Sequence, residues 1–450
     1  MNFIEKLKGK KCLVIGAGIT GMAVQKALSD FGAKVDIFDE KKSSQSGVVN
    51  TIPDEIDLAV VSPGWRLDHQ VIKDLRISGA QIISEIDFAW EVKNVLAPNQ
   101  KWIALTGTNG KTTTIKMVES IFNSANIKGK ACGNIGETVI ETVCQQEPLD
   151  YLALELSSFQ IEWSNAAKFE AIALLNISED HIDWHGTYEK YIAAKLKLVT
   201  HSKVKIANKS DPILATKLKN QEVIWFSLAT PSKGELGLVE DLLIDRAFAG
   251  SKDHAHEIAE LGDIKPSVPH NVSNALAAAA LSLAIGINHK DIKAGLSKFT
   301  PDHHRMELVL EENDIKWIDD SKATNPHAAI ASLLSNFNII WIAGGLAKGA
   351  SMDELVQRCS NRIKSVLLIG EDKELIADTF VKLSKSVPIK KFEKSTDSRQ
   401  LMLEVVSHAK GIAVPGDTVL LAPACASMDQ FVSYAERGEL FSAAVRELAK

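Results

Sequence analysis

Ala104-Leu105-Thr106-Gly107-Thr108-Asn109-Gly110-Lys111-Thr112-Thr113 is the stretch that decides the fold. It follows an apolar run at 102–105 that predicts a buried strand, and it precedes a helical pattern at 114–122. A glycine-containing turn at such a junction is typical of a phosphate-binding loop, because backbone N–H groups and the helix N-terminus attract phosphate oxygens. In such a loop Lys111 neutralises the terminal phosphates and the Thr112 hydroxyl binds Mg²⁺.

The loop departs from the strict motif G-x-x-x-x-G-K-[ST], because Leu105 stands where the first glycine is expected. The alternative interpretation is an ordinary strand-to-helix turn that carries a surface lysine. Gly110, Lys111 and Thr112 lie directly at the junction, and this position favours the phosphate loop.

The composition is typical of a globular enzyme. At 450 residues the chain is long enough for three domains of the usual size of about 150 residues. Its 51 basic and 57 acidic side chains give a net charge of −6 without a basic block, which argues against nucleic acid as a partner. No apolar run is long enough to span a membrane, and the first residues lack the apolar core of a signal peptide. Five scattered cysteines without a C-x-x-C pair indicate a reducing, cytoplasmic location.

A second glycine-rich loop occurs near the N-terminus. The predicted strand at 11–15 is followed by Gly16-Ala17-Gly18-Ile19-Thr20-Gly21, which matches G-x-G-x-x-G. Further strands are predicted at 34–38 and 58–61, and Asp39 follows at about the 20-residue offset of a ribose-binding acid. Taken alone, the pattern predicts a dinucleotide-binding fold, although many Rossmann-like domains bind other nucleotides or none.

Polar residues follow the predicted strands of the middle third. Glu155 lies at the end of a strand at 151–156, and Asp180 with His181 follows a strand at 171–175. Ligands of parallel sheets gather at the carboxyl ends of the strands, and an acid in this position is the usual Mg²⁺ partner of a phosphate loop. For each residue taken singly, a solvated loop position remains the alternative.

The last third repeats the alternation of strands and helices. Strands are predicted at 315–318, 339–343, 366–369 and 419–421. We therefore predict an α/β protein with a Rossmann-like domain at 1–97, a central phosphate-loop ATPase-like parallel sheet at 98–300 and a Rossmann-like domain at 301–450. Three such domains in series, one of them with a phosphate loop, indicate an enzyme that joins substrates with ATP.

Several stretches, spread over the whole chain, together resemble one family. They are G-T-N-G-K-T at 107–112, E-L-S-S-F-Q at 155–160, the polar run at 176–181, His270-Asn271 with Asn274, and D-S-K-A-T-N-P at 320–326. This set is similar to the Mur ligases, the ATP-dependent amide ligases of peptidoglycan precursor synthesis, whose own form of the phosphate loop accounts for Leu105. The stretches at 16–21, 62–64, 320–326 and 422–431 resemble the member that adds D-glutamate.

The resemblance implies the reaction. The alanine carboxylate of UDP-N-acetylmuramoyl-L-alanine attacks the γ-phosphate of ATP, an acyl phosphate forms, and the amine of D-glutamate displaces phosphate through a tetrahedral intermediate. Because the reaction brings anions together, it needs metal ions and cationic side chains. The resemblance further implies two Mg²⁺ ions, a carbamylated lysine, a cytoplasmic location and a monomer.

The resemblance also implies roles for single residues. The residues expected to bind ATP are Thr108, Asn109, Gly110, Lys111, Thr112, Thr113, Asn271, Asn274, Arg305 and Asp320. Those expected at the metal ions are Thr112, Glu155, His181 and a carbamylated Lys195, and with Lys111 the last three form the catalytic set. Those expected to bind the UDP-sugar are Ile19, Thr20, Asp39, Glu40, Gly64 and Asn134. Those expected to bind D-glutamate are Lys322, Thr324, Lys348, Ser427 and Tyr434.

Two points of this assignment carry alternatives. For Lys195, which lies on a helix that Thr187 is expected to cap, spacing alone favours a surface lysine on an amphipathic helix. Met306, Ala347 and Tyr434 depart from the residues that are usual in the family, and these departures concern detailed contacts with ATP and D-glutamate.

Three other functions compete with the D-glutamate ligase. The first is a sister amide ligase with another amino acid or a folate acceptor. The second is a nicotinamide-dependent oxidoreductase built on the N-terminal glycine loop, which leaves the phosphate loop and the last third of the chain without a role. The third is a nucleotide-binding module without catalysis.

Overall fold

The computed structural model describes residues 1–42, 44–45, 47–248, 254–384 and 386–449. Within these residues helices flank three β-sheets, which confirms the predicted α/β class. The chain separates into two compact units, one of residues 1–267 and 271–299 and the other of residues 268–270 and 300–450. The described helices include none with the length and apolar character needed to cross a membrane. The division into three domains at 97 and 300 stays a prediction.

The first sheet is built from the N-terminal residues. Its strands are β1 Lys11–Ile15, β2 Lys34–Phe38, β3 Val48–Val49, β4 Leu58–Val61 and β5 Gln81–Ser84, and its helices are α1 Phe3–Leu7, α2 Ile19–Asp30, α3 Gln70–Ile77 and α4 Glu85–Leu96. The strands are parallel in the order β3-β2-β1-β4-β5. The strands predicted at 11–15, 34–38 and 58–61 are confirmed.

The second sheet follows the phosphate loop. Its strands are β6 Lys101–Thr106, β7 Gly129–Gly133, β8 Tyr151–Glu155, β9 Phe169–Leu174, β10 Ser202–Asn208, β11 Ile224–Phe226, β12 Glu235–Val239, β13 Leu242–Asp245 and β14 His256–Glu260. Its helices are α5 Lys111–Ser124, α6 Val139–Val143, α7 Ser158–Trp163, α8 Ile182–His185, α9 Tyr188–Leu196, α10 Pro212–Lys217, α11 Pro269–Ala284 and α12 His289–Lys298. The order is β14-β13-β12-β11-β10-β9-β6-β8-β7.

This second sheet is parallel from β7 to β12, as predicted, and β13 and β14 extend it as antiparallel strands. This extension was not predicted from the sequence. The hairpin between β12 and β13 turns at Glu240, whose φ of 54° places it in the left-handed region without a glycine to indicate the turn. Antiparallel edge strands on a mostly parallel sheet are common.

The third sheet belongs to the second compact unit. Its strands are β15 Glu307–Glu312, β16 Ile315–Asp319, β17 Ile339–Gly344, β18 Ile363–Ile369, β19 Ile389–Lys391 and β20 Thr418–Leu421, and its helices are α13 Pro326–Leu334, α14 Asp353–Cys359, α15 Lys373–Leu383, α16 Ser398–Ile412 and α17 Tyr434–Leu448. The order is β15-β16-β20-β17-β18-β19, and β15 is antiparallel to β16. The four strands predicted in this part are confirmed.

A close helix contact supports the phosphate-loop helix. Helix α5 packs against α12 at Gly295, where an added Cβ would lie 2.5 Å from the Cα of Ile121. The hydroxyl of Ser120 donates a hydrogen bond to the carbonyl oxygen of Gly295 at 2.7 Å. The two backbones therefore approach as closely as a residue without a side chain permits.

We expect Gly295→Ala to lower the free energy of unfolding by about 1–3 kcal/mol, because the methyl group forces α12 away from α5. The matched control is Gly411→Ala in α16, where an added Cβ meets no atom within 4 Å. That change should raise the free energy of unfolding by about 0.5–1 kcal/mol through helix propensity. Urea denaturation of both variants checks the pair. A Gly295→Ala variant as stable as the wild type would contradict the packing argument.

A buried carboxyl group joins the first sheet to the second. Glu85 begins α4, and its Oε1 accepts a hydrogen bond from Nε2 of Gln160 on α7 at 3.0 Å. Among the described residues its Oε2 has no hydrogen-bond partner. Burial, with a smaller contribution from Asp87, raises the pKa of Glu85 from 4.5 to about 7, because the charged form loses its hydration.

The raised pKa of Glu85 predicts a pH-dependent stability. The folded state holds a proton on Glu85 that the unfolded chain releases above about pH 4.5, so this contribution to stability is lost as the pH rises to about 7. Glu85→Gln keeps a partner for Gln160 and should raise the free energy of unfolding at pH 8 by on the order of 1–3 kcal/mol, with little change at pH 4.5. Thermal melting across this range measures the effect, with exposed Glu222→Gln as the control. An unaltered pH profile in Glu85→Gln would refute the assignment.

Candidate active site

Three neighbouring strands of the second sheet bring the predicted phosphate and metal residues to one edge. Strands β9, β6 and β8 are adjacent and parallel, so their carboxyl ends point the same way. The phosphate loop follows β6, Glu155 ends β8, and the loop that contains His181 follows β9. The register pairs Leu105 with Glu155, so the acid lies level with the start of the loop.

The turn of the loop depends on one glycine. Gly110 has a φ of 82° and is the N-cap of α5. An added Cβ would lie 2.4 Å from Oδ1 of Asn274, so any other residue would force the Asn274 amide to move and would also be strained at this φ. Lys111 folds back over the turn, and its Nζ donates to the carbonyl oxygens of Gly107 at 2.8 Å and Thr108 at 2.9 Å.

The loop after β9 holds the phosphate loop in place. The backbone N–H of Asn109 donates to Oδ1 of Asn176 at 2.8 Å, and Nδ2 of Asn176 donates to the carbonyl oxygen of Asn109 at 3.1 Å. The Thr108 hydroxyl accepts from the N–H of Ser178 at 2.9 Å and lies 2.9 Å from the Tyr191 hydroxyl. These bonds organise the turn within the protein itself.

The two asparagines predicted on α11 lie in different environments. Asn274 packs against Gly110, as described above, and so lies at the phosphate loop. The amide of Asn271 is buried, and its Nδ2 donates to the carbonyl oxygens of Lys265 at 3.1 Å and Pro266 at 3.0 Å. The Asn271 amide nitrogen thus holds the chain segment that leads into α11.

Glu155 offers an oxygen that the protein does not satisfy. Its side chain is buried, and Oε1 accepts a hydrogen bond from Nδ2 of Asn134 at 3.0 Å. Oε2 is buried without a hydrogen-bond partner among the described residues. A buried oxygen without a partner is costly, and a cation there removes the cost. Magnesium prefers such hard oxygen donors, so the residue fits the metal predicted for this edge.

Lys195 is buried on α9, where Thr187 is the N-cap as expected. Its Nζ donates to the carbonyl oxygen of Gly107 at 2.9 Å and to Oγ1 of Thr106 at 3.3 Å. Burial, followed by the charge of Lys111, brings the pKa of Lys195 well below its ordinary value of 10.5. The interpretation as a surface lysine is therefore wrong for this side chain.

His181 precedes α8 with a strained backbone. Its φ of 53° is unusual for a residue that is not glycine, and such strain occurs preferentially at functional sites. The His181 side chain is 47% exposed, and its partial burial lowers its pKa. The charges of Lys111 and Lys195 lower the pKa further, against the opposing effect of Asp180. The imidazole is thereby favoured in its neutral form, which is the form that binds metal ions.

Five of the six residues predicted for the UDP-sugar lie at the carboxyl edge of the first sheet, and the sixth, Asn134, lies beside Glu155 on the second sheet. Ile19 and Thr20 begin α2, and the Ile19 side chain is 82% exposed. Oδ2 of Asp39 accepts a hydrogen bond from the N–H of Ala17 at 2.8 Å, so this acid also orders the glycine-rich loop. Glu40 follows directly at the start of a short 3₁₀ helix.

Gly64 connects this edge to the second sheet. Its carbonyl oxygen accepts a hydrogen bond from Nε1 of Trp184 at 3.0 Å. Nη1 of Arg66 donates to the carbonyl oxygen of Asp183 at 3.1 Å. Because α8 follows His181, these bonds tie the turn after β4 to the segment that carries the histidine.

The third sheet brings three further polar loops together. Strands β16, β20 and β17 are neighbours and parallel, so the loops that follow them share one edge. The backbone N–H of Leu346 donates to the carbonyl oxygen of Ala426 at 2.9 Å, and the reverse bond is also 2.9 Å. This bridge places the loops of Lys348 and Ser427 side by side. Lys348 itself has a φ of 52°.

Asp320 and Lys322 lie in the loop after β16. Burial raises the pKa of Asp320 to about 6, although the hydroxyl of Ser332 and the charge of Arg305 oppose the shift. Nζ of Lys322 lies 3.6 Å from the ring centroid of Tyr434, a cation–π contact. Thr324 follows in the same loop and donates its N–H to the Lys322 carbonyl oxygen at 2.8 Å.

Comparison with known proteins identifies the family. Residues 105–282 match the Mur ligase middle domain, and residues 304–425 match the domain described as Mur ligase, glutamate ligase domain. The UDP-N-acetylmuramoylalanine–D-glutamate ligase of Thermobifida fusca strain YX is 40% identical, with 99% of this chain and 100% of that protein covered. The chain belongs to the Mur ligase family. The enzyme of the same name from Streptomyces coelicolor is 39% identical, with 99% of each chain covered.

Solved structures show the Mur ligase fold over the whole length. A pseudomurein peptide ligase type C from Methanothermus fervidus has a TM-score of 0.62 at 17% identity, with 98% of this chain and 100% of that chain covered. The UDP-N-acetylmuramate–alanine ligase of Thermotoga maritima has a TM-score of 0.58 at 18% identity, with the same coverage. The resemblance to the Mur ligases is thus confirmed, and the roles of single residues stay predictions.

Arg437 is a buried cation of this Mur ligase that was not predicted from the sequence. The Arg437 side chain on α17 is fully buried. Nε donates to Oγ of Ser321 at 2.9 Å, Nη2 to the carbonyl oxygen of Ser321 at 2.9 Å, and Nη1 to that of Cys425 at 3.2 Å. Arg437 therefore holds two of the polar loops together. Its spacing of four residues from Phe441 was a signal, because both lie on the buried face of the helix.

Other residues that were not predicted act through side-chain hydrogen bonds, Asn176 and Trp184 to backbone atoms and Tyr191 to the Thr108 hydroxyl. Asn176 and Tyr191 support the phosphate loop, and Trp184 connects the first two sheets. Asn176 lay within a stretch already noted for its polarity. Tyr191 and Trp184 carry no comparable signal, because an aromatic residue on a helix is most often part of the core.

Proposed function

We propose that the chain is an ATP-dependent amide ligase that adds D-glutamate to UDP-N-acetylmuramoyl-L-alanine in peptidoglycan precursor synthesis. The observation that carries this proposal is the agreement, over the full length, with relatives that bear this reaction in their names. The phosphate loop, with a buried carboxylate and a buried lysine at the same sheet edge, supplies the chemistry that such a ligase needs. The family uses ATP, which agrees with this loop.

The reaction has two chemical steps. The alanine carboxylate attacks the γ-phosphorus of ATP, so that a C–O–P bond forms and ADP leaves. The neutral amine of D-glutamate then attacks the acyl carbon, the amide forms, and inorganic phosphate leaves with the former carboxylate oxygen. Lys111 and the N–H groups of the loop stabilise the charge on the transferring phosphoryl group. Asn274, which packs against Gly110, and Asn271 are assigned to ATP from α11.

Magnesium fits the donors at this edge. We assign one ion to Thr112 and Glu155, whose buried Oε2 has no partner among the described residues, and a second ion to His181 and a carbamylated Lys195. When bound, the ions neutralise phosphate charge and reduce the repulsion between ATP and the attacking carboxylate. The lowered pKa of His181 favours the neutral ring, which has a nitrogen lone pair that can bind a metal ion.

The environment of Lys195 supports a carbamate. Only a neutral amine reacts with CO₂, and burial with the charge of Lys111 keeps the pKa of Lys195 low. The nitrogen attacks the carbon of CO₂, an N–C bond forms, and a proton leaves to solvent. The product carries two carboxylate-like oxygens in place of an amine. Magnesium binds such oxygens far better than it binds an amine nitrogen.

Substrate binding is assigned to the two other sheet edges. Ile19, Thr20, Asp39, Glu40 and Gly64 of the first sheet, with Asn134 beside Glu155, take the uridine-nucleotide sugar. On the third sheet Lys322, Thr324, Lys348, Ser427 and Tyr434 are assigned to D-glutamate, and Arg305 and Asp320 are assigned to ATP. The second carboxylate of D-glutamate requires cationic and hydroxyl donors, and these side chains supply them.

Phosphate release tests the function and the loop together. Release should require ATP, Mg²⁺, UDP-N-acetylmuramoyl-L-alanine and D-glutamate at once. Lys111→Ala should lower kcat about a hundredfold or more, equivalent to ~3 kcal/mol of lost transition-state stabilisation, with melting temperature unchanged. Lys116→Ala on the same helix is the control. Release with L-lysine, meso-diaminopimelate or folate in place of D-glutamate would instead indicate a sister ligase. Near-normal turnover of Lys111→Ala would show that the phosphate loop has no part in the reaction.

The carbamate makes Lys195 replaceable by a small carboxylate. Lys195→Ala should be nearly inactive, and acetate or propionate should restore part of the activity by occupying the vacated oxygen positions. Lys195→Gln is the matched control, because its side chain fills the space and should block the rescue. Steady-state rates with and without carboxylate measure the effect. Full activity of Lys195→Ala without additive would contradict the carbamate.

Lys348 should discriminate between the two substrates. A site built for a side-chain carboxylate leaves its donors unpaired when that group is absent. Lys348→Ala should therefore raise the KM for D-glutamate by about tenfold or more, with the KM for the UDP-sugar changed by less than about twofold. Exposed Lys382→Ala on α15 serves as the control. Equal changes in both KM values would show that Lys348 does not bind the amino acid.

A further inference from the structure

A cavity of about 650 Å³ opens on the second sheet at the end away from the phosphate loop. Lys101 and Trp102 at the start of β6, Phe169 at the start of β9 and Ser202 at the start of β10 contribute to its lining. Because these strands are parallel, their starts share the edge opposite the candidate active site. The length of β6 separates the two places by roughly 17 Å, at about 3.3 Å per residue.

One aromatic side chain, that of Trp90, is partly exposed at the wall of the cavity. Trp90 on α4 contacts Trp102 edge to face, with ring centroids 5.0 Å apart and an interplanar angle of 73°. Trp102 in turn contacts Phe169 at 6.4 Å. Trp102 and Phe169 are only 1% and 3% exposed, so they support Trp90 from behind and a ligand can contact Trp90 alone among the three rings. An exposed aromatic surface favours a flat, apolar molecular body, because aromatic rings associate through offset and edge contacts.

The rim of the cavity is basic. Four lysines line the cavity, namely Lys93, Lys101, Lys168 and Lys203. Among the described lining residues Glu170 is the only carboxylate, and it is already paired with Lys203 at 2.8 Å. The cavity is thus positive in a chain whose net charge is −6. This contrast indicates a site for an anion.

Lys93 is the charge at the wall itself. The residue is 4% exposed, and its Nζ lies 4.7 Å from the centroid of the Trp90 ring. Nζ donates to the carbonyl oxygen of Pro98 at 3.1 Å and, less closely, to Oδ1 of Asn94 at 3.4 Å. It forms no direct ion pair with a carboxylate of the described residues, and burial lowers its pKa against the opposing charge of Glu170. A buried cation that is not directly paired with a carboxylate is costly, and an anion placed beside it reduces that cost.

We infer that this cavity binds a small aromatic anion, whose ring lies against Trp90 and whose phosphate, sulfonate or carboxylate group meets Lys93 and Lys168. The site is separate from the ligase site, and it is formed jointly by α4, the segment Pro98-Asn99-Gln100 and the starts of the central strands. It does not rest on the function proposed above.

Calorimetric titration of the full chain with 2-naphthalenesulfonate tests the site. The dissociation constant should be the same with and without saturating ADP and UDP-N-acetylmuramoyl-L-alanine. The neutral analogue 2-naphthalenemethanol should bind at least tenfold more weakly. Lys93→Met keeps the length of the side chain over Trp90 and should also weaken the sulfonate at least tenfold. Lys298→Met, an exposed change on α12, should leave binding unaltered.

A second variant guards against misfolding. Circular dichroism or thermal melting shows whether Lys93→Met folds. If it does not, the exposed variants Lys168→Ala and Lys203→Ala test the site instead, and each should bind the sulfonate several-fold more weakly. Four results would overturn the site: no binding at millimolar sulfonate, equal affinity for the neutral analogue, displacement by the nucleotides, or unchanged affinity in the folded lysine variants.

Discussion

Parallel pairing of β6 with β8 and β9 is the constraint on which the candidate active site depends. The register joins Leu105 to Glu155 on one side and Thr106 to Leu174 on the other. This alignment ends three strands at one level, so the phosphate loop, the acid and the histidine loop emerge together. A shift of the β8 register by one residue would turn Glu155 to the other face of the sheet, because side chains alternate along a strand. The core strands thus set the positions of the polar residues that follow them.

The same edge concentrates positive charge around buried polar atoms. Lys111 and Lys195 both donate to the carbonyl oxygen of Gly107, and the charge of Lys111 lowers the pKa of Lys195 and of His181. One oxygen of Glu155 meanwhile has no partner among the described residues. Such an arrangement is unfavourable for the protein alone and favourable for one that binds phosphates and cations, which is the usual relation between stability and function at active sites.

In the second compact unit a buried guanidinium group holds two polar loops together. Arg437 donates to Ser321 and to the Cys425 carbonyl oxygen, so the loops after β16 and β20 are held by one buried side chain. The planar fork of arginine suits several acceptors at once, whereas a lysine would satisfy fewer of them. A residue on α17 therefore fixes the position of the loop that carries Lys322 relative to the loop that carries Ser427.

The amino-acid sequence by itself determined the α/β class, the parallel strands near the glycine-rich loops and the Mur ligase family. Short apolar runs that end in glycine or polar residues encode these features locally. The tertiary structure alone decided which polar residues are buried and with which partners. Lys195 shows the difference. Its helix pattern is that of a surface lysine, and only the packing of α9 against the loop after β6 buries the amine beside the Gly107 carbonyl oxygen. Burial depends on contacts between residues 88 positions apart, and no local pattern contains that information.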